Sequence, residues 1–345
     1  MEKPVEFLSP ELRHVIVSVN PKAGAGAVDS RVLHLSQLLR QHDLEGVVLT
    51  NLDEVAAESN RLFAEGRLRA LIAEGGDGTV AELVNRTVPG LPLTVFPAGN
   101  ENLLARHFGL GPTPEECCRT VVEGAVVQSD AGRAGHRIFL IMVSCGFDAD
   151  VVHGLHLHRT GHVTIASYFN PIIASIRHYD YPELRVYWSE DNVAENSVDE
   201  TGVTKDKESS HSRETISDGV RWLFAFNLPC YGAGLQIAPE ADGSDGLLDI
   251  CTFRQGGLLH GLYYTAAVLT GTHRCLTDFA QRRVGRLRVT SDSKVPYQLD
   301  GDPGGFLPVD IEVLPRRLTL VVPKERTVNW IPVLRGVVPK EKDVT

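Results

Sequence analysis

No stretch of this 345-residue sequence is apolar for long enough to cross a bilayer as a helix: the best, from about Gly256 to Gly271, carries His260 and falls short of the roughly 20 residues required. The opening Met-Glu-Lys-Pro-Val-Glu lacks the basic and apolar regions of a signal peptide, so the expected location is cytoplasmic. Basic residues are also in deficit. Thirty-four Lys and Arg against 44 Asp and Glu leave a net charge of -10, which removes the footprint of a generic nucleic-acid binder, although a local basic face remains open. The six cysteines are scattered and form neither a disulfide framework nor a paired Cys-x-x-Cys zinc pattern. They read as reduced thiols, with Cys117 and Cys118 as small buried side chains on a helix. A composition of 43% apolar and 23% charged residues excludes disorder as the overall state and suits one large or two medium domains.

The first 130 residues alternate β-branched runs with helical patterns, which predicts βαβ units and a parallel sheet. Strands are expected at His14–Val19, Gly46–Thr50, Arg69–Ala73 and Leu91–Phe96. Val28, Val32, Leu35 and Leu39 share one helical face. Asp53–Ala64 reads as a helix capped by Asp53, and Thr113 before Pro114 as the N-cap of a helix running to about Glu123. Beyond residue 130 the pattern turns to strands: Arg137–Val143, Leu184–Trp188, Val220–Asn227, Leu247–Phe253, Leu287–Thr290, Tyr297–Leu299, Val309–Val313 and Leu318–Val322. The expected division is an α/β domain at 13–131 and a β-rich domain at 132–322. A polar, acidic, mobile insertion is expected at 189–218, and a tail at 323–345 packing back on the first domain.

Three loops of the first domain each follow an apolar strand, and in an open parallel sheet such loops meet at the carboxyl edge, where ligands bind. The first is Asn20-Pro21-Lys22-Ala23-Gly24-Ala25-Gly26, which matches neither the dinucleotide fingerprint nor the Walker pattern. The second, Gly75-Gly76-Asp77-Gly78-Thr79, followed by Glu82 and Asn85, is either a phosphate cradle with a carboxylate for a metal or hydroxyl, or a tight turn with Asp77 as helix cap. The third, Pro97-Ala98-Gly99-Asn100-Glu101-Asn102, offers amides to a nucleotide or is a helix start capped by Asn100 or Asn102.

Asn-Pro-x-x-Gly, then Gly-Gly-Asp-Gly-Thr-x-x-Glu-x-x-Asn, then Pro-x-Gly-x-x-Asn resembles the diacylglycerol kinase catalytic-domain family, which includes bacterial lipid kinases and sphingosine kinases. The resemblance extends through Ser144–Ala149, Tyr231–Gly234, Ala238–Ala241, Ser244–Asp249 and Asp300-Gly301-Asp302, and covers residues from about 14 to 322. It implies an α/β nucleotide domain with an NAD-kinase-like parallel sheet, a β-sandwich-like second domain, and ATP with Mg²⁺ in the cleft between them. Phosphoryl transfer would run to a lipid hydroxyl, of the diacylglycerol or sphingoid type, at a membrane surface that the protein touches peripherally. By position, Asn20, Pro21, Gly24, Gly26, Gly75, Gly76, Gly78, Thr79, Glu82, Gly99, Asn100 and Asn102 would bind the nucleotide. Asp77 would lie by Mg²⁺ and acceptor, Asp245 would hold a metal or its loop, and Asp302 would be the general base. The sequence departs from the family at Ala23, at Leu103, where a carboxylate is usual, and at Asp302, where the family has glutamate.

Two alternatives stand beside this reading: a kinase of a soluble acceptor, since NAD kinases share a Gly-Gly-Asp-Gly loop, and a nucleotide-binding regulator with impaired turnover. His153, His156, His158 and His162 suit a transition metal or a solvated helix face. The run 258–269 suits a bilayer contact or a core helix, and Arg282, Arg283, Arg286 and Arg288 suit anionic lipid heads or ordinary surface charge. An exposed strand edge in the second domain is the expected means of pairing two copies into a homodimer.

Overall fold

Strands that lie inside a parallel sheet are buried on both faces, and the sequence supplies such runs near its start. The computed structural model describes residues 6–19, 30–99, 101–157, 175, 178–189 and 214–329. A short β1 (Glu6–Phe7) precedes β2 (His14–Val19), which is buried after His14. Helix α1 (Ser30–Gln41) turns Val32, Leu35, Ser36 and Leu39 inward, the 3.6-residue pattern of a helix lying on a sheet. The alternation continues through β3 (Glu45–Leu49), α2 (Leu52–Ala64), β4 (Leu68–Gly75), α3 (Asp77–Arg86), β5 (Pro92–Pro97), α4 (Leu103–Phe108) and α5 (Pro114–Glu123). Every residue of β4 and β5 is buried.

The strands β3, β2, β4 and β5 pair in that order and in parallel, so their carboxyl ends share one edge. Two caps decide helix starts. Thr113 caps α5 through a reciprocal capping box with Glu116. For α2 the cap is Asn51 rather than Asp53: Asn51 Oδ1 accepts the amides of Asp53 and Glu54 at 2.9 and 3.2 Å. Asp53 therefore sits inside the first turn, where its charge favours the helix dipole.

The second half contains β6 (Ala125–Ala134), β7 (Arg137–Phe139), β8 (Met142–Gly146), α6 (Phe147–Leu157), β9 (Leu184–Ser189), β10 (Glu214–Val220), β11 (Trp222–Phe226) and β12 (Leu248–Phe253). It ends with α7 (Leu258–Leu269), β13 (Phe279–Val284), β14 (Arg286–Thr290), β15 (Pro296–Leu299), β16 (Asp302–Phe306) and β17 (Val309–Val322). An antiparallel sheet is ordered β13-β12-β11-β8-β15-β16. Its inner face, with Val143, Cys145, Leu223, Ala225 and Ile250, packs on Val186, Leu287, Val289 and Ile311 of the other sheet, giving a sandwich core.

The two halves are joined by β17. It pairs parallel with β5 and antiparallel with β6 and β14, so one sheet runs from the first domain into the sandwich. The runs Val309–Val313 and Leu318–Val322, expected as two strands, are this one strand with a bulge between Leu314 and Leu318, where Arg316 has φ 51°. Conversely, the expected strand Arg137–Val143 divides into β7 and β8. The expected boundary at residues 131 and 132 falls inside β6. Residues 214–218, expected in the acidic insertion, belong to β10, which pairs with β9, while 190–213 lie outside the described residues. Lys324 pairs with Glu123 of α5 at 3.2 Å, which seats the start of the tail on the first domain; 330–345 lie outside the described residues.

Candidate active site

Parallel pairing sets Val19 beside Glu74 and Gly75 beside Pro97, so the three expected loops leave from neighbouring strand ends. The first loop, with Asn20, Pro21, Gly24 and Gly26, lies outside the described residues, as does Asn100. Directly after that first loop, Arg31 on α1 donates to the carbonyls of Pro97 at 3.1 Å and Pro112 at 2.7 Å, tying the start of α1 to the third loop.

Loops two and three meet backbone on backbone. A Cβ on Gly99 would stand 2.8 Å from the Gly76 Cα, and Gly75, at φ +155°, leaves no room for one beside Thr79. Asn102, in the left-handed region, does not cap α4 with its side chain: it grips Gly99, accepting the amide at 3.0 Å and donating to the carbonyl at 2.6 Å. The cap comes from the second loop. Asp77 accepts the amides of Leu103 at 2.9 Å and Leu104 at 3.0 Å, so it caps α4, not the helix it begins. Burial pushes the Asp77 carboxyl above the usual carboxylate range, the two amides oppose this, and the charge of Glu101 adds to it. Because Asp77 uses the backbone of residue 103, the leucine there leaves the cap intact. Glu101 stands 3.8 Å from Arg106.

The second domain delivers Asp302 to this place. Its Oδ2 lies 3.4 Å from the point where Gly78 would carry a Cβ, so a carboxylate on β16 faces the glycine loop of α3. Three supports hold it there. Asp300, partly buried, accepts the amides of Leu140, Ile141 and Met142 at 2.6, 2.9 and 2.9 Å, which is why the backbone breaks between β7 and β8. Gln298 accepts the Gly301 amide at 2.8 Å and donates to Ser144 Oγ at 2.9 Å and Asp148 at 3.1 Å. Asp148 also accepts from Ser144 and from Tyr231. The third support is Arg137, which donates to the Pro303 carbonyl at 2.8 Å and lies 4.0 Å from Glu82.

Glu82 accordingly pairs with Arg86 and Arg137, a brace between α3 and β16. Asn85, the last residue of the second motif, exchanges hydrogen bonds with the backbone of Ile138 on β7, donating at 3.0 Å and accepting at 2.8 Å. The spacing of Asp, Glu and Asn along α3 thus serves α4, β16 and β7 in turn. Cys230, partly buried against the core, has its thiol pushed up to about 11 by burial and then by the Asp77 charge, against Arg106.

Asp245 is not brought to these groups by any described contact. Its carboxylate is paired with Arg283, and it accepts the Leu247 amide at 2.9 Å. The neighbouring loop is tied down by Asp130, whose oxygens accept the amides of Gly246 and Arg316, both at 2.7 Å. Among the described residues no three His, Cys, Asp or Glu come together as a metal-binding group. Asp245, expected to hold a metal or its loop, is engaged here by Arg283 and by the amide of Leu247 in its own loop. Both oxygens of Asp77 already accept amides and Asp302 faces the glycine loop, so the expected Mg²⁺ would take most of its ligands from phosphate oxygens and water. His153 hydrogen-bonds the Tyr297 carbonyl at 3.1 Å and packs on Phe306, His156 is exposed on α6, and His158 and His162 lie outside the described residues.

The diacylglycerol kinase catalytic domain model matches residues 14–134, and the YegS C-terminal NAD kinase beta sandwich-like domain model matches 141–322. A diacylglycerol kinase of Mycobacterium tuberculosis (strain H37Rv) is 27% identical over 327 residues, 91% of this chain and 96% of that protein. One from Bacillus subtilis (strain 168) is 24% identical over 310 residues, covering 85% and 92%. The crystal structure of a diacylglycerol kinase from Bacillus anthracis superposes with a TM-score of 0.62 at 18% identity, covering 93% of this chain and 98% of that one. An NAD kinase from Archaeoglobus fulgidus in complex with ATP gives 0.50 at 11%, covering 92% and 96%.

Proposed function

Since the chain belongs to the diacylglycerol kinase catalytic-domain family, we propose that it is an ATP-dependent lipid kinase, transferring the γ-phosphoryl group to a hydroxyl of a diacylglycerol or sphingoid-type lipid. The observation that carries this reading is the approach of Asp302 to Gly78, which sets a carboxylate of one domain against the glycine loop of the other. Phosphoryl transfer asks little covalent chemistry of a protein; it asks for in-line positioning and for charge neutralisation. The packed glycine loops, closed backbone on backbone at Gly76 and Gly99, support the phosphates. Asp302 accepts the proton of the acceptor hydroxyl as its oxygen bonds to the γ-phosphorus and the bond to the β-phosphate oxygen breaks. Asp77 keeps loops two and three in register through α4. Asp302 and Asp77, together with the phosphates, would hold Mg²⁺, which would supply the neutralising charge.

The test is transfer of labelled γ-phosphate from Mg·ATP into the organic-extractable fraction, with a panel of lipids in mixed micelles and with Asp302→Asn alongside. Label on one lipid, lost in the variant while ATP binding persists, is the expected result. Label on a water-soluble acceptor alone, or undiminished transfer by the variant, overturns the reading.

A further inference from the structure

Helix α7 buries only Tyr264, Ala267 and Val268. Tyr264 packs on Phe253 with ring centroids 4.4 Å apart, donates to Asp278 and accepts the Gln255 amide, which fixes how the helix sits. The opposite side is apolar and open: Leu259 is 80% exposed, Leu269 69%, Leu262 59% and Tyr263 54%, with Leu258 beside them. Eleven large hydrophobic side chains are exposed among the described residues, and five of them lie on this one helix. A contiguous apolar patch of this kind on a soluble body marks an interaction surface.

Charge indicates the partner. The chain as a whole is at -10, yet residues 254–288 contain six arginines, no lysine and a single acidic residue, Asp278. Arg274, Arg283 and Arg288 are paired with Glu240, Asp245 and Asp310. Arg254, four residues before the helix, and Arg282, three residues beyond Phe279 on β13, are exposed. Phe279 packs at a tilt on Phe253, ring centroids 5.1 Å apart, and Phe253 packs on Tyr264 of the helix, which ties that strand to the same end of the domain. Apolar side chains flanked by exposed arginines that pair with no carboxylate among the described residues, with no acidic residue from 254 to 277, match an anionic bilayer, where each basic group near the surface adds attraction.

We infer that the exposed face of α7 is the surface by which the protein docks on a membrane carrying anionic lipid. This rests on the lipid-kinase reading, since it states where the enzyme meets its substrate's phase. Asp300 bonds to Met142 at one end of β8, whereas Trp222, against which α7 lies, pairs with Gly146 at the other. Four residue steps of strand, about 14 Å, therefore separate the strand position beneath α7 from the one that holds the Asp302 turn.

The experiment is flotation of the full chain with vesicles of phosphatidylcholine alone and of phosphatidylcholine with phosphatidylglycerol, for wild type and for a Leu259→Glu, Leu262→Glu double variant. Wild type is expected to prefer the anionic vesicles, and the variant to bind them at least about 30-fold more weakly, from the loss of two buried leucines. Circular dichroism melts identify any unfolding of the variant; if it melts early, Arg254→Gln with Arg282→Gln takes its place, with loss of the anionic preference expected. Equal binding by wild type and folded variants overturns the proposal. So does a concentration-dependent dimer in sedimentation velocity that the double variant abolishes without any vesicle binding, because a second copy is then the occupant. Turnover of a short-chain, water-soluble diacylglycerol separates the two readings. If the variant retains it and loses vesicle binding, both stand; if no lipid is phosphorylated while vesicle binding still depends on Leu259 and Leu262, the docking surface stands and the kinase reading falls.

Discussion

Asp300 accepts the backbone amide of Met142 at 2.9 Å, so the turn that carries Asp302 is fastened to the first residue of β8. The attachment has a pH signature. Burial pushes the Asp300 carboxyl up to about 6 against the pull of three amides, and the Asp77 charge adds to the rise. Between about pH 4 and 6 the folded protein therefore keeps a proton that the unfolded chain has released. Asp300's share of stability is fully present below about pH 4 and is lost as pH rises through 6. Urea unfolding of wild type and Asp300→Asn at pH 4.5 and 6.5 reads this directly. The stability difference between the two proteins is expected to fall by about 2 kcal/mol across that interval, and a flat difference would mean that Asp300 titrates as an ordinary carboxylate.

Gly78→Ala separates folding from chemistry. A Cβ there meets only Asp302 Oδ2, at 3.4 Å, an ordinary contact, and the residue lies in α3 without a left-handed φ. Alanine is the better helix former by about 1 kcal/mol, so Tm should hold or rise. The new methyl fills the gap between the glycine loop and the carboxylate, and kcat is expected to drop about 10-fold or more, because a small displacement of reacting groups is costly. An unchanged kcat would remove the face between Gly78 and Asp302 from the reaction.

What the chain revealed in advance follows from which interactions are local. Strands β2, β4 and β5 are buried on both faces and so read as apolar runs, and the capping box of Thr113 and Glu116 lies within four residues. The periodicity predicts no strand at β6, β13 or β16. Those segments carry Ser129, Asp130 and Gly132, then Gln281, Arg282 and Arg283, then Asp302-Pro303-Gly304-Gly305, and long-range pairing overrides such composition. The same limit applies in the site. Asp77 and Asp302 were expected in it from the family resemblance of their motifs, but Asp77's hydrogen bonds reach 26 and 27 residues ahead and those of Asp300 reach about 160 back. Arg137 has no local pattern at all.

Arg283 bears on metal dependence. Its guanidinium pairs with Asp245 and stands 3.9 Å from Asp249, a buried carboxylate whose pKa burial raises. A fixed cation thus neutralises the loop that a metal was expected to hold. Without nucleotide, EDTA should leave the Tm of the wild type unchanged, whereas Arg283→Met should destabilise by about 1 kcal/mol, discounted for partial exposure. A Tm lowered by EDTA and restored by Mg²⁺ in the wild type would instead put a metal at Asp245.

Gln298 is the most informative residue to alter, because it touches no reacting atom in the proposed transfer and yet joins Asp148 to the Asp302 turn. Gln298→Leu keeps the approximate volume, leaves the Gly301 amide without its acceptor, and takes one donor from Ser144 and Asp148, which keep each other and Tyr231. Leaving buried polar groups unpaired costs about 1–3 kcal/mol, a loss that thermal or urea unfolding would record. A purely structural residue would show that loss and nothing more. As a positioning residue, Gln298 should also lower kcat while leaving KM for ATP near its original value, since the nucleotide loops belong to the other domain. Gln298→Glu, which retains an acceptor for Gly301 but repels Asp148, should fall between the wild type and the leucine variant. If kcat follows only the fraction folded in both variants, the network supports the fold and does not position Asp302.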